Sequence, residues 1–273
     1  VPDLIVRNLS FDFDNVDFFW NPPNPEFALL ANIISIQTIG FERFICRSMQ
    51  EAQAHISDPE VLREIRDFKA QEMAHSKGHL AHVKSMIAQY PALESVFQES
   101  LADFDRKWEA HGLAYRLAYS AIIEATSLPL YKVIIEHRDK LLGGADRKVA
   151  SLLLWHFCEE IEHRSTALLV YNEVVGRPFF RMRVFPDVGR HLAMNMRRIA
   201  ARFAEHVPGV AELDLRRATA RIPRWARLRM TASLFTSQLP SYNPSRGRVP
   251  DYCGEWARLY NSGEDMRIAP SIE

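Results

Sequence analysis

The spacing of apolar and polar positions along the chain predicts an all-helical fold. From Pro25, a residue suited to a helix's first turn, apolar side chains keep helix-compatible spacing to about His55, interrupted only by Gly40. Ser57-Asp58-Pro59-Glu60 then gives a start signal, a capping side chain followed by proline and an acid. Behind it Val61, Leu62, Ile65, Phe68, Val83 and Met86 recur at helical spacing, so a second helix is expected to end near Tyr90-Pro91. A third helix is expected from roughly Ala102 to His137, bent at Pro129, and a fourth from about Asp146 to Val175. Gly143-Gly144 separates the two.

The flanks read differently. Residues 1–25 mix Asp, Asn, Pro and Phe without sustained periodicity, which predicts an irregular arm whose aromatics pack onto the body. After Gly176-Arg177-Pro178 the stretch to Arg229 is rich in Arg, lacks Lys and holds few acids, around at least two more helical patterns. Such a basic stretch forms a solvated or internally paired face more often than a docking surface for an acidic ligand. The last thirty or so residues are rich in turn formers and aromatics and look like a wrapping tail. The expected organisation is one domain over 1–273, with an arm (1–25), a helical bundle (26–175) and an extension with tail (176–273).

Composition narrows the function classes. The 273 residues hold equal numbers of acids and bases, so no global field points to nucleic acid or a membrane surface. Cys46, Cys158 and Cys253 are far apart with no CxxC pair, which suits a reducing cytoplasm. The opening VPDLIV shows no secretory pattern, and no apolar run of about 18 residues is evident, so neither a leader nor a membrane span is expected. No GxSxG elbow, phosphate-binding glycine loop or HExxH motif is present.

The chemistry sits in two Glu-x-x-His motifs, Glu72-Met73-Ala74-His75 and Glu160-Ile161-Glu162-His163, each placed within a predicted helix. A spacing of three puts both side chains on one face. Each motif is preceded, on the previous predicted helix, by a glutamate among apolar neighbours: Glu42 in TIGFERFICRSM and Glu124 in YSAIIEATSLPL. Four carboxylates on inward faces would repel one another strongly unless cations join them. Two divalent ions neutralise them formally, with the imidazoles completing the shell, and that ligand order matches carboxylate-bridged two-metal bundles.

On these motifs the chain resembles the ferritin-like di-iron carboxylate superfamily, which implies a ferritin-like four-helix bundle with additional C-terminal helices. FERFICRS, QEMAHSKGH and WHFCEEIEHRSTALLVY resemble a bacterial family catalogued as predicted metal-dependent hydrolases. The resemblance covers roughly residues 10–175, and the last motif is its most specific part. The Tyr-Asn-Pro stretch near residue 242 loosely resembles that family's Pro- and His-containing ending but lacks its histidine. His156 stands four residues before Glu160 and seven before His163, which is similar to the extra histidine of di-iron arylamine N-oxygenases.

Several assignments stay open at this stage. His156 is either a seventh ligand or an outer hydrogen-bond partner. His79, one turn after His75, poses the same choice, with the outer role favoured. Glu159 could replace Glu160 by helical geometry, and Glu160 is preferred because it repeats the first motif. Glu162 is expected to pair with an arginine or face solvent. Cys46 and Tyr131 read first as core residues, and second as a pocket wall and a phenol near the metals.

The ligand set favours iron, with manganese and zinc open. The leading expectation is a non-haem di-iron oxidoreductase that uses dioxygen to oxidise a small, largely apolar organic substrate. The first alternative is a metal-dependent hydrolase working through a metal-bridging water, with Glu159 as base. The second is a non-enzymatic iron-binding or storage protein, which the aromatic arm and long extension fit less well. Expected partners are a small-molecule substrate and an electron donor, with no nucleic acid; a homodimer is left open.

Overall fold

The computed structural model describes residues 4–268; residues 1–3 of the arm and 269–273 of the tail lie outside the described residues. Among the described residues all regular structure is helical. Ten α-helices follow in order: α1 (Pro25–Ala52), α2 (Pro59–Gln89), α3 (Leu93–Glu109), α4 (Leu113–Glu136), α5 (Arg138–Leu142), α6 (Arg147–Glu162), α7 (Thr166–Val174), α8 (Pro178–His206), α9 (Arg224–Thr236) and α10 (Asp251–Asn261).

The helix starts follow local chemistry. Asn24 caps α1 by accepting from the Phe27 amide, Asp58 caps α2 by accepting from Glu60, and Asp146 caps α6 by accepting from Lys148 and Val149. Proline occupies the first turn of α1, α2 and α8, where its missing N–H costs nothing. The link before α6 needs Gly144, whose φ of +76° lies in the left-handed region.

A four-helix bundle results. α1 packs along α2 and against α4, α4 packs on α6 and α7, and α2 closes the ring on α6 and α7. α3 and α8 cover α1 and α4, α9 lies on α4, and α10 rests on α6. The arm behaves as its aromatics suggest: Phe13, Phe18 and Trp20 are buried, and the Trp20 indole N–H donates to Asn32 of α1 at 2.8 Å. Of the Arg-rich stretch, Arg181 is internally engaged, donating to the Ser237 and Leu239 carbonyls and to Gln238.

Three expectations need correction. The third expected helix is two: α3 ends at Glu109, and Gly112 in extended conformation starts α4, so α3 can pack on α1 and α8 while α4 enters the bundle. The fourth is also two, because the backbone leaves helical geometry at His163 (φ −90°, ψ 10°) before α7 begins at Thr166. Finally, Pro25–His55 is long and apolar enough to cross a membrane by length and composition. Its apolar surface is taken up by the bundle instead, since 78% of its most apolar window is buried against neighbouring helices.

Gly40 does not interrupt α1 but brings it close to α3, since a Cβ there would overlap the Phe104 ring. Gly40→Val is expected to destabilise the fold by about 2 kcal/mol through overpacking, read as a lower urea midpoint. Gly254→Ala in α10, where a Cβ meets nothing within 4 Å, should instead be neutral or stabilising by up to about 1 kcal/mol.

Candidate metal centre

Two groups of buried donor atoms meet in the bundle interior. One comprises Glu42, His75, His156 and Glu160, the other Glu72, Glu124, Glu160 and His163, and within each group the donor atoms lie within 4.8 Å of one another. Glu160 belongs to both. Its Oε1 stands 3.0 Å from His156 Nε2, 3.3 Å from His163 Nε2 and 3.6 Å from His75 Nδ1. Glu72 also lies between the groups, with Oε1 3.2 Å from His163 Nε2 and Oε2 4.0 Å from His75 Nδ1. The grouping departs from simple motif order, because residues three apart on a helix are offset by about 4.5 Å along its axis and so face different points of the interior.

Apart from His156 Nε2 and Glu160 Oε1, which meet each other, the donor atoms that face inward lack partners. Glu42 Oε1, both oxygens of Glu72, His75 Nδ1, Glu124 Oε1 and His163 Nε2 are buried without a hydrogen bond. Buried polar atoms are ordinarily satisfied, so a convergent set of this kind fits cations. Electrostatics agree. Burial, with the nearby Glu160 charge, pushes the Glu42, Glu72 and Glu124 carboxyls well above their usual range. For Glu160 burial acts in the same direction but is outweighed by His163 and His156, which hold it well below. Burial lowers His75 to about 3 and, with His75 beside it, His156 to about 4, so both rings are neutral, as metal ligation requires.

A family model described as predicted metal-dependent hydrolase matches residues 5–247. The chain belongs to that family. No curated protein and no solved structure matches it. The match extends past the resemblance seen at residues 10–175, reaching both Arg7 in the arm and Tyr242-Asn243-Pro244 in the tail.

In this family member each inward imidazole is held by its second nitrogen. His75 Nε2 lies 2.9 Å from Glu159 Oε2, His156 Nδ1 lies 2.8 Å from His79 Nε2, and His163 Nδ1 lies 3.0 Å from Gln71 Oε1. Such contacts fix ring orientation and leave the opposite nitrogen pointing inward. His79 therefore stands behind His156, and its own Nδ1 meets Ser35 Oγ at 3.1 Å. Ser76 Oγ donates to Glu42 Oε2 at 2.6 Å. Glu159 lies outside both groups, tied between His75 and Arg7, and burial raises its carboxyl to about 7 against the pull of Arg7. The break after α6 is part of this arrangement, since His163 ends the helix where its ring reaches both Glu160 and Gln71.

Arg7 was invisible to motif reading. Buried in the arm, it donates to Glu159 at 3.0 Å and doubly to Glu162 at 2.8 and 2.9 Å, and it stacks near Trp256 and Tyr260 of α10. The arginine expected for Glu162 thus comes from more than 150 positions away. An isolated arginine in an aromatic-rich arm, with acids three positions apart on α6, was the available signal. Cys46 joins neither group; its half-buried thiol faces the Lys69 carbonyl, and burial pushes it up to about 12. Tyr131 is a core residue, as first expected, its ring 4.6 Å from Phe157 and 5.7 Å from His156.

Arg7→Met leaves Glu159 buried without its cation, so a loss of about 3 kcal/mol is expected in chemical denaturation. pH should act on the chelator-treated protein with a definite sign. Glu42, Glu72, Glu124 and Glu159 hold protons more tightly folded than unfolded, so each lowers stability as pH rises from about 4.5 through its folded value. His75, His79, His82 and His156 have lowered values, so each raises stability up to pH about 6.5 and then contributes no further slope. The Tm of the chelated protein should therefore fall from pH 6.5 to pH 8, and excess Mn(II) should abolish that fall.

Proposed function

We propose that this chain is an enzyme working through two metal ions held by Glu42, Glu72, His75, Glu124, His156, Glu160 and His163, and that its reaction is metal-dependent hydrolysis of a small organic substrate. The observation that carries the two-ion reading is the set of buried, partnerless oxygens and nitrogens shared between two groups through Glu160. Four carboxylates balance two divalent ions. Such a pair supplies Lewis acidity, polarising a substrate oxygen and making water acidic at neutral pH. The description of the family supports hydrolysis.

The chain's own residues define the rest. Glu160 and Glu72 sit between the groups and would set the spacing of the ions. Glu159, Gln71 and His79 orient the three rings. Glu124 is the most accessible of the seven, 5% exposed where Glu42, Glu72, His75 and His156 show no exposure, so substrate would approach past it. Glu159, a possible base by its sequence position, is a poor fit for that role, because both its oxygens are engaged by Arg7 and His75.

That engagement favours a second reading. Three imidazoles with four carboxylates, and no free carboxylate beside them among the described residues to serve as a base, suit iron and dioxygen as co-substrate, with the protein supplying a shielded, apolar surrounding. An electron donor would then be required.

Metal analysis of purified protein should find two ions per chain, and Glu160→Gln, which alters the shared ligand, should lower occupancy of both. Glu159→Gln should weaken metal binding about 10–100-fold by freeing His75. Turnover of esters, amides or phosphoesters by the Zn(II) or Mn(II) protein without oxygen supports hydrolysis. Colour, bound iron and oxygen consumption on reduction, with no anaerobic hydrolysis, would replace it by the second reading. Undiminished metal content in Glu160→Gln would sink both.

A further inference from the structure

A cavity of about 340 Å³ runs along α4 from a point one turn beyond Glu124, walled by α4, α9 and the segment around Tyr242. We infer that this cavity is the substrate site and that it takes a small organic carboxylate, an apolar body bearing one negative charge, with Lys132 anchoring the charged end. The inference rests on the two-metal reading for its reaction but not for its binding chemistry.

Position comes first. Leu128, one turn beyond Glu124 on α4, lines the cavity, and so does Tyr242, whose phenol lies close enough to feel the Glu124 charge. The cavity therefore follows α4 from Lys132 toward the metal edge. Eight residues separate Lys132 from Glu124, about 12 Å of helix axis. A ligand held at Lys132 would reach the centre with a body of medium length. Leu128, Val133 and Met230 give that body apolar walls, and the volume falls within the range of small-molecule sites.

Charge selects the ligand. The Lys132 side chain is half-buried and makes no hydrogen bond or ion pair among the described residues, and burial lowers its pKa. Other charges at the cavity are already matched: Arg229 pairs with Glu136 at 2.5 Å, and Arg248 pairs with Asp251 at 2.8 Å. Among the described residues that line the cavity, one cation is left over. Its end lies against Gly247, where a Cβ would stand 2.8 Å from Nζ, so the glycine leaves room for the ammonium. Across the Tyr242 segment Arg164 spends its donors on the Ile161, Pro244 and Ser245 carbonyls and pairs with no acid among the described residues, adding positive potential. A partly desolvated ammonium without a counter-ion favours an anion. A single uncompensated charge facing the cavity suits a carboxylate better than a phosphate dianion.

Octanoate, octan-1-ol and octyl phosphate are the probes, titrated calorimetrically into the full chain, both metal-loaded and chelator-treated. Octanoate should bind more tightly than the other two. Lys132→Met should weaken it at least tenfold, and Lys132→Arg by less than about threefold, with metal content unchanged in both. In the wild-type protein octanoate should slow reductive methylation of Lys132 relative to the other lysines, a readout that requires no variant to fold. Equal octanoate affinity in Lys132→Met, absence of protection, or octan-1-ol or octyl phosphate binding at least as tightly would overturn the inference. Missing metal with octanoate binding intact would count against the two-metal reading alone.

Discussion

Negative charge concentrated in a dry interior is the constraint on which the rest of this structure depends. Glu42, Glu72, Glu124 and Glu160 converge where water cannot solvate them, and three of the four are driven toward the protonated form. Glu160 alone is held below its usual range, by His163 and His156 beside it. Left to themselves these groups would destabilise the bundle that holds them, because unpaired buried charge is among the costliest features a fold can carry. Cations within the cluster would turn the same groups into a reason for the helices to stay together.

The surrounding polar residues make sense in those terms. Glu159 with Arg7, Gln71, and His79 with Ser35 each hold one imidazole by the nitrogen that faces away from the centre. Gln71 in turn donates to the Ile5 carbonyl, and Arg7 rests near two aromatic rings of α10. The first and last parts of the chain thereby close over one side of the centre. An arm that looks irregular in isolation acquires a defined path because its polar groups finish a network begun by α2 and α6.

The opposite side, past Glu124, is finished by the extension. Arg181 of α8 and Arg164 after α6 hold the segment from Ser237 to Ser245 mainly through its backbone carbonyls. Tyr242 is thus placed between those two guanidinium groups and the carboxylate of Glu124. The Arg-rich composition of the extension therefore has an internal use, fixing a loop beside the centre, as well as a solvated one.

The sequence by itself determined the helical class, the starts of α1, α2 and α6, and six of the seven residues that converge, because capping, 3.6-residue periodicity and the doubled Glu and ExxH order are local signals; the place of His156 it left open. It also favoured an outer place for His79, which the structure sets behind His156, and preferred Glu160, which joins both groups, to Glu159, which joins neither. The tertiary structure alone decided the helix breaks at Gly112 and His163, which answer to where α3 must pack and where the His163 ring must reach. It likewise decided the grouping of Glu72 with Glu124 and His163, the tie of Glu159 to Arg7, and the isolation of Lys132 beside a cavity. Those facts depend on the relative depth and rotation of helices far apart in the chain, and no spacing along one helix records them.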